Sequence, residues 1–164
     1  MENYICINGK KAELTEEQMK LLGIKANPFV RTDLRKPYYV IDTYSGVSQC
    51  TEANDPLDER AFNSGNYCTN KAIMEQRLLH EILYRLLWRY SMEHDGDKID
   101  WSNGSQNKFE IDFTHYREED CFEVTAYSIT QNICSVYFAS EETAFDAIEE
   151  IIKPFMKAHP EFKF

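Results

Sequence analysis

The chain lacks any apolar run approaching the roughly 20 residues needed to span a bilayer. Its opening residues, MENYICINGKKAELT, hold no stretch long enough for a secretory leader. Both absences predict a cytoplasmic protein with no membrane role. Cysteine is scattered: Cys6, Cys50, Cys68, Cys121 and Cys134 make no C-x-x-C pair. That argues against a structural zinc site and a disulfide framework. Each lies among Tyr, Ile, Val or Phe, so small buried hydrophobes are expected.

Catalytic and cofactor signatures are missing too. There is no G-x-x-x-x-G-K-[ST] or G-x-G-x-x-G phosphate loop and no G-x-S-x-G elbow. His80-Glu81-Ile82-Leu83-Tyr84 comes nearest to a zinc-protease helix. The H-E-x-x-H pattern needs a second His where Tyr84 stands, so one ligand is lost. Asp95, Asp97 and Asp100 open like a calcium loop. Counted from Asp95, however, the fifth position is Ile99 and the twelfth is Gln106, where an oxygen ligand and a Glu belong. The expectation is a non-enzymatic chain with no catalytic residue, cofactor or metal.

What is present is charge of one sign. The net charge of −10 opposes gripping a nucleic-acid backbone. Residues 118–150 hold nine acids and no Lys, Arg or His: Glu118, Glu119, Asp120, Glu123, Glu141, Glu142, Asp146, Glu149 and Glu150. The rest of the chain carries 19 acids against 18 Lys and Arg, so it is near balance.

The stretch 69–94, TNKAIMEQRLLHEILYRLLWRYSMEH, contains no Gly or Pro. Leu79, Ile82, Leu83, Leu86 and Tyr90 recur at helical spacing, which predicts one long helix with Thr69 as N-cap and Gly96 as terminator. His80, Tyr84 and Trp88 form a second, aromatic stripe. Two apolar stripes predict cover on two sides; the alternative is that Tyr84 and Trp88 join a subunit or partner interface, where aromatics are enriched. Arg77, Glu81, Arg85 and Arg89 form the polar stripe.

Before that helix, Tyr4–Ile7 and Lys10–Glu13 flank an Asn8-Gly9 turn signal. Thr15-Glu16-Glu17-Gln18 fits a capping box and Gly23 a helix end. Residues 25–37 read as a linker whose Lys25, Arg31, Phe29, Arg35 and Lys36 are either solvated or a phosphate contact. Tyr38–Thr43 and Val47–Thr51 read as a hairpin, and Leu57–Phe62 as one helical turn ended by Gly65. After the helix, Lys108–Thr114, Cys121–Tyr127 and Ile133–Ala139 read as strands, and Phe109, Ile111 and Phe113 alternate with acids. Ser140 is placed to cap a final helix with Ala144, Phe145, Ile148, Ile151, Ile152 and Phe155 on its apolar face, ended or kinked at Pro154. The predicted class is α+β: a mostly antiparallel meander packed by the long helix and the C-terminal helix. The predicted organisation is a hairpin-helix appendage over 1–24, a linker over 25–37 and a main domain over 38–164.

Three segments carry a family resemblance: YICINGKKAELTEEQMKLLGI, NYCTNKAIMEQRLLHEILYRLLWRYSMEHDGDKIDW and VYFASEETAFDAIEEII. In this order the chain resembles small proteins of phages, prophages and integrative elements of gut Firmicutes. The resemblance assigns no residue a role. It implies a mobile-element setting, in which small acidic proteins act as inhibitors of host defence, anti-CRISPR proteins among them. The acids themselves supply the candidate surface. Glu142, Asp146, Glu149 and Glu150 share a helix face, with Glu118, Glu119 and Asp120 at a preceding turn. Carboxylates about 5–6 Å apart on a helix approach nucleic-acid charge spacing. The expectation is an acidic inhibitor that occupies the basic groove of a nucleic-acid-handling protein partner and binds no nucleic acid itself. The alternatives are a solvated face on a soluble domain, a small-ligand or nucleotide binder with an aromatic pocket near Tyr84 and Trp88, and an accessory homo-oligomer joined through the long helix.

Overall fold

The computed structural model describes residues 4–7, 10–23, 27–116 and 119–164. The Asn8-Gly9 turn and Glu118 lie outside the described residues. The class is α+β, with antiparallel sheets, a long helix and a C-terminal helix. The chain divides into two compact units, Met1–Glu75 and Gln76–Phe164.

In the first unit, β1 (Tyr4–Ile7) and β2 (Lys10–Glu13) pair antiparallel, with Tyr4 opposite Glu13. Helix α1 (Glu16–Leu21) opens on the reciprocal cap that Thr15 and Gln18 predict. Gln18 N–H donates to the Thr15 hydroxyl at 3.3 Å, and Thr15 N–H donates to Gln18 Oε1 at 2.9 Å. Strands β3 (Pro37–Ile41) and β4 (Val47–Thr51) form the second hairpin. Its turn is organised by Asp42, whose carboxylate accepts from Tyr44 N–H, Gly46 N–H and the Ser48 hydroxyl at 2.9, 3.0 and 2.6 Å.

Helix α2 (Pro56–Asn63) is longer than the single turn expected, because both of its first donors are satisfied. Asp55 accepts from Leu57 N–H and Asp58 N–H, and Asp58 Oδ2 accepts from Asp55 N–H in return. Pro56 sits at the helix start, where its missing N–H costs nothing. Gly65 follows at φ +71°, a left-handed position suited to glycine at a helix end. Cys68 then bridges back to Tyr39 through two backbone hydrogen bonds, 2.7 and 3.1 Å.

The long helix α3 spans Lys71–His94. Its N-cap is Asn70 rather than Thr69: Asn70 Oδ1 accepts from Ile73 N–H at 3.3 Å, while the Thr69 hydroxyl donates to the Pro28 carbonyl at 3.2 Å. The aliphatic stripe is inward as expected, with Leu79, Leu83 and Tyr90 buried. The aromatic stripe is not covered. Tyr84 is 42 % and Trp88 53 % exposed, and Met92 one turn on is also exposed. Gly96 does not adopt a positive φ at the end of α3; it opens a short 3-10 turn, Gly96–Lys98. A Cβ there would lie 2.4 Å from Ser91 Oγ and 3.0 Å from the Ser91 carbonyl carbon and oxygen, so close approach demands the glycine.

In the second unit, β5 (Lys108–Tyr116) lies between β6 (Glu119–Tyr127) and β7 (Tyr137–Phe138), all antiparallel. The last strand therefore returns to the free side of β5. It is two residues long, not seven. Ile133 and Cys134 form a turn instead, Ile133 is almost fully exposed, and Cys134 has φ +66°.

Ser140 caps α4 (Glu141–Ala147), its hydroxyl accepting from Thr143 N–H at 3.1 Å. A π-helical turn, Ile148–Ile152, joins α4 to α5 (Lys153–Ala158). Lys153 N–H donates five residues back to Ile148. The widened turn directly precedes Pro154, whose ring would collide with the carbonyl four residues earlier. The helix thus accommodates the proline and continues past it. Ala147, not Phe145, completes the buried side, and Phe145 is half exposed.

The core joins Leu79 and Leu83 of α3 to Ile148, Ile152, Phe155 and Phe162, with Ile111, Phe122 and Val124 of the sheet packed against them. A second cluster joins Tyr90, Phe138, Ala144 and Ala147. The C-terminal tail is held by Gln76, whose amide donates to the Glu161 carbonyl at 2.7 Å and accepts from Lys163 N–H at 3.0 Å. Phe162 then seats against Phe155 and His80, at ring-centre distances of 5.4 and 4.8 Å.

Candidate functional site

The acidic residues fall into two groups. Backbone register places Glu119 opposite Tyr116 and Asp120 opposite His115, at one end of the β5–β6 hairpin. Strand β7, which leads into α4, pairs with Phe109 and Glu110. Along the strand this is roughly 20 Å from the Glu119 end, at about 3.4 Å per residue. The other group lies on the C-terminal helix. Glu141, Glu142, Asp146, Glu149 and Glu150 are all exposed.

These helical carboxylates are not equally available. Glu149 is paired with Lys153 one turn on. Glu150 faces the Tyr90 phenol; burial first, then the negative charge of Glu150, pushes that phenol above its usual range. Glu141, Glu142 and Asp146 have no cationic partner among the described residues. Glu141 and Glu142 also sit in the first turn of α4, where the helix dipole favours negative charge.

A groove of about 760 Å³ opens on the second unit between α3 and the β5–β7 side of the sheet. Leu83, Leu87, Val136 and Phe138 supply apolar wall, and Tyr84 lines it as well. Trp88 does not line it and continues the exposed stripe beyond. Arg77, Glu81 and Arg85 stand at the α3 side. Arg77 Nε donates to Glu81 Oε1 at 2.9 Å, and Arg85 Nε donates to the Glu81 carbonyl at 3.1 Å. Glu110, buried on β5, accepts from the Asn132 side chain at 2.7 Å. The Tyr137 hydroxyl accepts from Asn132 N–H at 2.7 Å. Burial is the main reason its pKa is raised, with the Glu110 charge adding to it and the Asn132 N–H opposing it.

The sequence pattern did not reveal this groove. Arg77, Tyr84 and Arg85 were visible as helix stripes, but their meeting with Glu110, Val136 and Phe138 depends on β7 pairing with β5. Cys134 lines the same groove, exposed in its turn rather than buried in a strand. Cys6 is exposed and Cys50 half-buried, so among the described cysteine side chains only Cys68 is the expected buried hydrophobe.

Of the basic loop, Arg31 is spent internally, Arg35 and Lys36 are exposed, and Lys25 lies outside the described residues. Arg31 binds the fully buried Glu52 carboxylate with two hydrogen bonds, 3.1 and 2.8 Å. Glu52 also accepts from the Tyr67 hydroxyl at 2.9 Å and Asn54 N–H at 2.9 Å. These donors hold its pKa below the usual carboxylate range against the opposing effect of burial, the Arg31 bond being the largest. Beside it, Tyr38 donates to Asp58 at 2.6 Å, and the Tyr38 and Tyr67 rings stack at 4.1 Å. Such a closed network is structural. The Asp-rich turn is spent only in part, because the buried Asp95 Oδ2 has no hydrogen-bond partner among the described residues. Asp95 Oδ1 accepts from Ala139 N–H at 3.0 Å, and Asp100 Oδ1 accepts from Ser102 N–H and its hydroxyl at 2.8 and 2.6 Å. No cluster of three metal-ligating side chains occurs among the described residues. No described helix is long and apolar enough to cross a membrane. Comparisons with protein-family models, curated proteins and solved structures found no match to this chain.

Proposed function

We propose that this is a non-enzymatic binding protein that presents the outer face of its C-terminal helix to a basic groove on a nucleic-acid-handling protein. In a mobile-element setting that partner is a host defence effector, and the role is inhibitory, in the manner of an anti-CRISPR protein. The supporting observation is the exposed run Glu141, Glu142 and Asp146, whose carboxylates have no cation partner among the described residues. A rigid row of unpaired charge loses little conformational freedom on binding and raises association rate through long-range attraction. Glu149 contributes less, because Lys153 already neutralises it.

The discriminating variant is Glu142→Lys with Asp146→Lys. It reverses two of the unpaired charges and leaves Glu141, the Glu149–Lys153 pair and the core untouched. Affinity capture from a bacterial lysate at low salt should recover a nucleic-acid-binding protein with the natural chain and lose it with the double variant. Added duplex DNA or structured RNA should release the captured partner. Equal capture by both chains, or capture indifferent to nucleic acid, would sink the proposal.

A further inference from the structure

The charges around the α3 groove are mostly committed to neighbours. Glu81 holds Arg77 at 2.9 Å, and Glu110 takes the Asn132 amide at 2.7 Å. Arg85 differs. Its Nε is anchored on the Glu81 carbonyl at 3.1 Å, which holds the guanidinium at the groove, while its terminal nitrogens have no acceptor among the described residues. The open charged donors at the groove are therefore those of Arg85, on a protein whose net charge is −10. Beneath it lie Leu87, Val136 and Phe138, with Tyr84 alongside. An apolar wall with a few convergent polar groups and a volume of about 760 Å³ is the usual form of a small-molecule site.

We propose that this groove binds a small amphipathic anion: an aromatic or aliphatic body on the apolar wall, with a carboxylate, sulfonate or phosphate on the Arg85 guanidinium. A planar guanidinium takes two oxygens of such a group at once, which favours an anion over a neutral isostere. The site lies on α3 and the sheet and does not depend on the acidic face of α4.

The test is a two-dimensional NMR titration of the full chain with 1-naphthoate and with its uncharged counterpart 1-naphthamide. Naphthoate should perturb the amides of Tyr84, Glu110 and Val136 and bind about three- to tenfold tighter than naphthamide. Arg85→Gln should erase that difference, weakening naphthoate more than naphthamide. Ser135→Trp, on the loop side, should block both ligands. If that variant fails to fold, Tyr84→Ala, on the exposed side of the helix, should weaken both. Equal affinity of the two ligands would overturn the choice of an anion, and so would an Arg85→Gln variant that still prefers naphthoate. Perturbations elsewhere, or no saturable binding at millimolar ligand, would overturn the site itself.

Discussion

Replacing Gly96 by Ala should destabilise the chain far more than a surface substitution, because of where the new methyl would fall. It would stand 2.4 Å from Ser91 Oγ and 3.0 Å from the Ser91 carbonyl. The hydroxyl can move only by giving up its buried hydrogen bond to the Tyr137 carbonyl, 2.5 Å long. Leaving that carbonyl without its donor costs about 1–3 kcal/mol. The backbone contact cannot be relieved by a rotamer change, and overpacking of that kind costs about 1–3 kcal/mol. Allowing for partial relaxation, the total is about 2–4 kcal/mol. For a chain of 164 residues, each kcal/mol lowers Tm by roughly 2–4 °C. Thermal melts followed by circular dichroism would measure it. A double-mutant cycle with Ser91→Ala sharpens the test. Ser91→Ala removes the hydroxyl before the methyl arrives, so the double variant should be less damaged than the two single losses added together, by about 1 kcal/mol or more. Gly96→Asn separates this account from a left-handed helix end. Asn is tolerated at a left-handed position but collides here as Ala does. A Gly96→Ala chain within about 0.5 kcal/mol of the natural one would refute the close-approach reasoning.

Two further outcomes follow from buried polar groups. Lys108 is fully buried, with its ammonium donating to the Asn103 and Ser128 carbonyls at 2.8 Å each and lying 5.3 Å from the Trp101 ring centre. Lys108→Met keeps the apolar stem but strips both carbonyls of a donor, so a loss of about 2–4 kcal/mol is expected, read by urea denaturation; an unchanged midpoint would show that the ammonium holds nothing together. The first unit should weaken at both extremes of pH. Asp58, held by the Tyr38 hydroxyl and by backbone N–H groups, titrates at about 2 in the folded chain, so the unfolded state binds more protons and stability falls as pH drops from about 4 to about 2. Tyr67, chiefly through burial, is pushed up to about 12; here the unfolded state loses its proton first, and stability falls as pH rises from about 10 to about 12. NMR signals of residues 27–75 would report both transitions, and signals of that segment flat across both windows would contradict the network.

Features set by neighbours in the chain were legible in the sequence. Thr15 with Gln18 and Ser140 before Glu141-Glu142 place hydroxyls where helix donors stand open, and both act as caps. Thr69 shows the limit of the same rule. Asn70 is the stronger cap type of the two, and the Pro28 carbonyl, 41 residues away, takes the Thr69 hydroxyl while Asn70 caps the helix. Gly96 was legible as a helix terminator and misread in its reason, since what calls for glycine there is the close approach of Ser91 and not a positive φ. The strand expected over 133–139 failed because alternation and β-branching cannot reveal that Cys134 turns the chain at φ +66°.

The candidate surfaces divide on the same physical line. Periodicity correctly put His80, Tyr84 and Trp88 on one stripe of α3, but an aromatic stripe is consistent with core, interface or groove. Which of these it becomes depends on β7 running beside β5, a pairing between residues about 28 apart with no local signature. For the acids, counting over 118–150 stopped three residues short of Lys153, whose i,i+4 spacing from Glu149 is itself a pairing signal. Composition therefore overstated the free charge of the helix, and side-chain placement reduced it to Glu141, Glu142, Asp146 and Glu150, Glu149 being paired with Lys153. Glu141 and Glu142 also sit in the first turn of α4, where negative charge already stabilises the helix. Asp146 carries no such structural explanation. If the face is an interface, Asp146→Lys alone should weaken binding with little effect on Tm, whereas Glu142→Lys should disturb both.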